Sequence, residues 1–430
     1  MRPLFEAPSA TGVERASRVR YGVVALAILL AAVTYLDRVC ISRLAQNIMA
    51  DLSLSEHQMN FVFGVFALAY AAFEIPTARW ADRRGTRLVL TRIVAWWSTF
   101  TIATAAAFSY VSLLVTRFLF GMGEAGAWPS VTSTFARWIP AKERGTIQGI
   151  FFMGAHISGG LTPMLVTVLM GYLHWRAIFV LFGLVGFVWV AAWYLWFRDD
   201  PSQHPQVNAA EREMILRGRR PASSHDASWE YWRRLATHRN TWPLCLMYIG
   251  NVCAYFFCIT WLPTYLEKEF DLSPVEVGIA AGMPLCVSVL GDLLGGLTTD
   301  RLTRRFGLRV GRSGVGAVAY GLAGVAMYFA AATDEPMVCV VLLSLAVAAA
   351  MFTLGAAWAT CIDIGGAHSG VVSATMNTAG NGTAMFFPFL TIFLKDSFGT
   401  WDAPLYAMSA IFFIGVVCWC LIDPRKRVFD

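Results

Sequence analysis

Twelve separate stretches of this chain are each long and apolar enough to cross a bilayer, and no other feature constrains its fold as strongly. A crossing helix needs roughly 20 mostly apolar residues. The stretches lie near 21–43, 58–80, 88–108, 110–135, 146–172, 176–197, 241–267, 275–299, 312–332, 336–361, 369–394 and 402–423. Hydrocarbon satisfies no backbone polar group, so such stretches must bond internally as helices. Composition agrees: 57% of the 430 residues are hydrophobic and 14% are charged, with a mean hydropathy of +0.55. A soluble domain carries about a quarter charged residues.

Positive charge orients the spans. With a cytoplasmic N-terminus, 28 of the 34 Lys and Arg residues fall in inside segments. The outside loops keep only Arg43, Arg176, Lys268 and Lys395, and Arg38 and Arg117 lie within spans. The expectation is an all-α membrane protein with 12 transmembrane helices in two six-helix bundles and both termini cytoplasmic. Residues 1–20 are an N-terminal cytoplasmic tail, 21–197 the first bundle, 198–240 a cytoplasmic linker, 241–423 the second bundle and 424–430 a short tail. Within the linker, AEREMILRGRR can form an amphipathic surface helix, although a solvated connection held inside by its arginines is the simpler reading. No small-residue cleavage site follows the first apolar run, which is therefore read as a retained span.

Several chemistries lack support. The nine cysteines form no CxxC pair and nearly all lie in apolar runs, so they read as small buried residues, with no metal site expected. There is no Gly-rich phosphate loop and no acid paired with a nucleophile. The chain is expected to be no enzyme, to need no cofactor and to bind no nucleic acid.

An internal repeat narrows the class. ARWADRRGTR (78–87) follows the second span and GGLTTDRLTRRFGLR (295–309) follows the eighth. Both set Asp-Arg at the cytoplasmic end of a helix, before basic residues and a glycine suited to a tight turn. The candidate loop residues are Asp82, Arg83, Gly85 and Arg87 in the first copy and Asp300 and Arg301 in the second. Duplicated six-helix halves are a transporter architecture with its site near the midplane.

These loops resemble the signature loop of the major facilitator superfamily, with Ala78 in place of its leading glycine. More narrowly, the chain resembles the anion:cation symporter family, which includes bacterial galactonate, glucarate and hexuronate transporters and the sialin and vesicular glutamate transporters. YLDR (35–38), RFLFGMGEAGAWPS (117–130), WLPTYL (261–266), DIGGAHSG (363–370) and NTAGNG (377–382) carry the resemblance in the family's order. It implies the two-bundle fold and alternating access. It also implies proton sites at Asp37 and Glu124, substrate contacts from Tyr35, Arg38, Tyr70 and Asn377, and a linking role for Arg117 between the two acids. An aspartate at position 37 favours the proton-coupled bacterial type.

The charges themselves point the same way. Each charge at a helix centre costs about 2.5–3.5 kcal/mol on insertion scales, so Asp37, Arg38, Arg117 and Glu124 must face water or one another. Helix rise places Asp37 and Arg117 at similar depth, which predicts a contact between them. A static staple needs one acid and one base, not two of each. An anion drawing away arginine charge favours protonation of a neighbouring carboxylate, so anion and proton load together.

Weaker candidates surround this core. His156 is a candidate for reading a hydroxyl or relaying a proton, and a packing role fits it equally. Trp128 and Trp358 can stack on a sugar face or pack between helices. Ser373, one turn before Asn377, can share its face. Asp363 suits a cytoplasmic gate contact, and Glu74 and Asp292 suit helix-end or gate roles.

The reading is a proton-coupled symporter of a small organic anion, foremost a sugar acid such as an aldonate, aldarate or hexuronate, with more than one proton per monoanion. Its alternatives are an organic-anion uniporter or exchanger and a proton-driven drug exporter. The expected partners are the anion, protons and the lipid bilayer, with a monomer in the bacterial inner membrane.

Overall fold

The computed structural model describes residues 15–217, 229–270 and 272–429. Most of the N-terminal tail, the middle of the linker and Asp430 therefore lie outside the described residues. No strand occurs among those described. The first half contains α1 (Val19–Leu52), α2 (Glu56–Arg84), α3 (Thr86–Ala105), α4 (Tyr110–Glu124), α5 (Ala127–Trp138), α6 (Arg144–Met170) and α7 (Trp175–Trp196). Two short helices follow, α8 (Ala209–Leu216) and α9 (Trp229–Thr237). The second half contains α10 (Thr241–Thr260), α11 (Leu262–Phe270), α12 (Pro274–Phe306), α13 (Val315–Ala331), α14 (Pro336–Phe352), α15 (Leu354–Gly365), α16 (Ser369–Phe398) and α17 (Asp402–Leu421).

Ten helical stretches among the described residues are long and apolar enough to cross a membrane, and one of them is the run Pro336–Phe398 that holds α14, α15 and α16. Helix α4 ends at Glu124, before Gly126 takes up a left-handed conformation (φ 83°) and α5 starts. Neither α4 nor α5 is long enough to cross by itself.

The repeat seen in the sequence is built into the ends of α2 and α12. Each begins with a serine capping box, Ser55 with Gln58 and Ser273 with Glu276. Each stops at a positive-φ glycine, Gly85 (φ 91°) and Gly307 (φ 86°), where a side chain would be strained. Their outer turns are polar, and their long apolar interiors bond internally as helices because hydrocarbon satisfies no backbone polar group. Helix α12 packs on α14 backbone to backbone: a Cβ on Gly295 would overlap the Phe352 carbonyl oxygen, whereas one on Gly282 meets nothing within 4 Å. Gly295→Val is therefore expected to destabilise the protein by about 1–3 kcal/mol, the usual cost of overpacking. Thermal unfolding in detergent checks this, with Gly282→Ala expected to melt like wild type.

The linker is more tightly held than a solvated connection. Glu211 of α8 is fully buried and accepts hydrogen bonds from Ser17 Oγ, the backbone of Val19 and Arg20, and Arg20 Nη1. Those backbone N–H groups are the unpaired donors at the start of α1, so a linker carboxylate caps the first long helix. Helix α9 docks through Tyr231, which stacks on Phe429 (centroids 4.5 Å apart) and lies under the Arg79 guanidinium of α2.

Candidate functional site

Adjacent residues on a helix point about 100° apart, so Asp37 and Arg38 on α1 serve different neighbours. Arg38 donates from Nε to Glu124 Oε1 (2.8 Å), and its Nη2 lies 2.7 Å from the same oxygen. Glu124 closes α4, where unpaired carbonyls carry partial negative charge that favours a cation. The break itself requires glycine twice over. Gly126 has positive φ, and a Cβ there would come 2.7 Å from Thr77.

Asp37 is fully buried and accepts a hydrogen bond from Trp97 Nε1 at Oδ2 (3.1 Å), while its Oδ1 has no partner. Arg117, 2% exposed, lies over the Phe120 ring at 4.1 Å, and its Nε and Nη1 have no partner. The expected direct Asp37–Arg117 contact is thus not made. Arg38 takes Glu124, Trp97 takes Asp37, and Arg117 remains without an ion pair.

A chain of contacts leads from Arg38 into the second bundle. Its guanidinium lies 5.0 Å from the Tyr70 ring, and Tyr70 donates its hydroxyl to Glu74 Oε1 (3.4 Å). Asn377 Nδ2 donates to the same oxygen (2.5 Å) and Thr378 Oγ1 to Oε2 (2.7 Å). Glu74 is fully buried, and a buried carboxylate must be hydrogen-bonded to be tolerated. Its role is therefore to tie α2 to α16 beside the charged cluster. Ser373, on the same helix, bonds back to Gly370 O (3.0 Å) and is fully buried, so its hydroxyl is already used.

Aromatic rings line the junction between the bundles. Trp128 meets Tyr35 edge-on (6.2 Å) and stacks with Phe152 (5.9 Å). Trp358 donates to Tyr248 Oη (3.2 Å) and packs on Phe152 (5.2 Å). His156 Nδ1 lies 2.6 Å from Asp292 Oδ2, and its ring stacks on Tyr255 (5.4 Å).

The duplicated loops close one end. Asp82 accepts from the backbone N–H of Gly370 and Val371 at the start of α16 and from Ser133 Oγ. Asp300 accepts from the backbone N–H of Gly145 and Thr146 at the start of α6. Each aspartate thus caps a helix of the opposite bundle, where anions are favoured. Arg312 binds Asp300 and Asp363 (both 3.0 Å), and Arg144 binds Asp363 (2.8 Å). Gly85 supplies the turn, Arg87 donates to the Tyr194 carbonyl, and Arg83 and Arg301 are exposed.

Sequence reasoning missed Trp97, Tyr248 and Tyr255. It also missed a neutral cluster in the second bundle, in which Tyr320 donates to Asn251 Oδ1 (2.9 Å) and Asn251 donates to Thr353 (3.2 Å). Glu74 and Asp292, expected in helix-end or gate roles, each sit eight residues before a capping aspartate. That shared spacing was the available signal.

Two helical halves joined across buried charges, with one end closed by reciprocal caps, define a membrane transporter. The chain belongs to the major facilitator superfamily: the model of that family matches residues 27–388. Its relatives fall in the anion transporter group of that superfamily. It is 33% identical over 96% of its length to a "probable sulfoacetate transporter" of Cupriavidus necator, covering 95% of that protein. It is 28% identical to a "probable galactarate/D-glucarate transporter" of Bacillus subtilis, over 98% of this chain and 95% of that one. A "probable L-galactonate transporter" of Escherichia coli is 26% identical, over 96% of this chain and 92% of that one. Among solved structures, the human organic anion transporter MFSD10 superposes with a TM-score of 0.70 at 15% identity, over 94% of this chain and all of that one; it shows the fold alone.

Proposed function

We propose that the protein is a proton-coupled symporter that carries a small organic anion by alternating access. It has twelve crossings, counting α4–α5, α10–α11 and α14–α15 as one each, with both termini in the cytoplasm of a bacterium whose inner membrane it spans as a monomer. The observation that carries the reading is the arrangement of Arg38 on Glu124 beside a buried Asp37 and an unpaired Arg117. An arriving carboxylate competes with Glu124 for Arg38, and Glu124, once released, becomes a proton acceptor.

Asp37 and Glu124 are the proposed proton carriers. Arg38, Arg117, Tyr35, Tyr70 and Asn377 hold the anion, and Trp128, His156 and Trp358 shape the chamber. Asp82, Asp300 and Asp363 hold the closed end. Two carboxylates support more than one proton per monoanion, so that net positive charge enters and the membrane potential contributes about 2.3 kcal/mol per charge per 100 mV.

A sugar acid is the first substrate reading. A short sulfonated carboxylate is the second. It is supported by Arg117, whose unpaired Nε and Nη1 offer a second acid group a cationic partner beside Arg38.

The test is uptake by wild-type proteoliposomes of labelled D-glucarate, D-galactonate, D-glucuronate and sulfoacetate under an inward proton gradient. Accumulation of one of them, increased by an inside-negative potential, is expected. Exchange without gradient-driven accumulation would replace symport by uniport or exchange, and accumulation insensitive to potential would set the proton count equal to the anion's charge, one for the galactonate or glucuronate monoanion and two for the glucarate or sulfoacetate dianion.

A further inference from the structure

The repeat places a second pair of buried carboxylates between the bundles. Glu74 on α2 and Asp292 on α12 each stand eight residues before a capping aspartate, Asp82 and Asp300. Each is fully buried, and each reaches across to the opposite bundle, Glu74 to α16 and Asp292 to α6. Their donors differ in kind. Glu74 is held by an amide and two hydroxyls, which keep their protons throughout the ordinary pH range. Asp292 is held by an imidazole, a group that exists in both neutral and protonated forms.

No arginine or lysine pairs with Asp292 among the described residues, and its Oδ1 has no partner. From α1 come Tyr35, Asp37 and Arg38, with Arg38 engaged by Glu124. Helix α10 brings Tyr255, stacked on His156. Asp363 of α15 is held by Arg144 and Arg312, and α14 carries no ionisable side chain but Cys339. The charge on Asp292 is therefore balanced only if His156 takes a proton. With one proton in the 2.6 Å contact the couple is an uncompensated anion. A second proton, on His156 Nε2, makes it neutral.

We infer that His156 and Asp292 form a further proton-coupling site, distinct from Asp37 and Glu124, that loads its proton while the capped end is shut. The inference rests on the symport reading and adds a carrier to it. Geometry ties the proton to the transport cycle. Around the couple α6 and α12 touch backbone to backbone: a Cβ on Gly149 would overlap the Asp292 carbonyl, and Gly296 lies against Gly145. The bundles cannot part at this end without drawing His156 from Asp292. The shut state takes the proton from water on the loading side. Opening breaks the contact, exposes both groups to water on the other side and lets the proton leave with the anion. An anion held at Arg38 adds negative charge to the same chamber and favours the protonated couple.

Two measurements test this, the first without any substrate. Infrared difference spectra of the reconstituted protein between pH 5 and pH 8 should contain imidazole and carboxyl bands that disappear in both His156→Gln and Asp292→Asn. His156→Gln keeps a donor to Asp292 but cannot take up a proton, so it also controls for packing. Absence of those bands in wild type overturns the inference. The second is the proton-to-anion ratio from reversal potentials, with D-glucarate and sulfoacetate as probes. The ratio should fall by one in each variant. An unchanged ratio with the bands present overturns the coupling role and leaves a titrating staple. Bands present in a wild type that never couples protons to either probe would refute the symport reading, and with it the coupling role, while leaving the couple's titration established.

Discussion

Asp37→Asn is expected to exchange substrate across the membrane yet concentrate it about tenfold less than wild type for each unit of pH gradient. Asparagine has nearly the shape of aspartate and retains an oxygen for the Trp97 indole, which donates to the Asp37 carboxylate from α3. No arginine is paired with Asp37, so the substitution strands no partner; Arg117 has no ion pair in either protein. What disappears is the ability to carry a proton through a fully buried position. Each coupled proton driven by one unit of pH gradient is worth about 1.4 kcal/mol, or a tenfold accumulation. Two coupled protons thus give roughly a hundredfold. The variant should lose about tenfold in accumulation per unit of pH gradient, the share of one proton, with counterflow within a few-fold of wild type. Gradient-driven uptake equal to wild type would remove Asp37 from the coupling machinery.

Arg38→Ala is expected to abolish both accumulation and exchange, and to cost stability as well. Among the described residues Glu124 has an ion pair with Arg38 alone, and its second oxygen has no partner. Breaking a fully buried pair from one side costs roughly 3–5 kcal/mol, and the loss here is smaller because Arg38 is 29% exposed and Glu124 can take a proton. Arg38→Lys separates the two effects. It restores a positive charge but loses the planar fork that brings Nε and Nη2 together on one oxygen. Its melting temperature should recover most of the loss. Anion affinity should remain about ten- to hundredfold weaker, the equivalent of roughly 1.4–2.8 kcal/mol, in equilibrium binding of whichever probe the wild type takes. Full affinity in the lysine variant would show that charge alone holds the substrate.

Helix identity, the division into halves and the sites of buried charge were legible in the sequence because they rest on local quantities: length of apolar run, position of basic residues and spacing of the repeated Asp-Arg loops. Pairing was not. The depth argument placed Asp37 and Arg117 at one level, and it was blind to azimuth, which turns Asp37 toward Trp97 on α3 and Arg38 toward α4. The break after Glu124 was present as G-x-G-E-x-G, yet glycine runs in a span read as close packing just as easily as unwinding. His156 and Asp292 lie 136 positions apart, and only the fold brings α6 against α12. The linker misled for a related reason. Glu211 looks like any surface acid until α8 is set at the head of α1.

The reciprocal caps at Asp82 and Asp300 grip main-chain amides, not side chains of the cargo chamber. The latch and the chamber are therefore separable parts. Residues facing the anion can drift toward sulfonates, aldarates or hexuronates without loosening the latch, and the latch can be tuned without altering what is carried. Such independence allows one scaffold to diversify its cargo while its rocking motion stays the same, and chamber residues grafted between relatives of different cargo would carry selectivity without carrying the speed of the cycle.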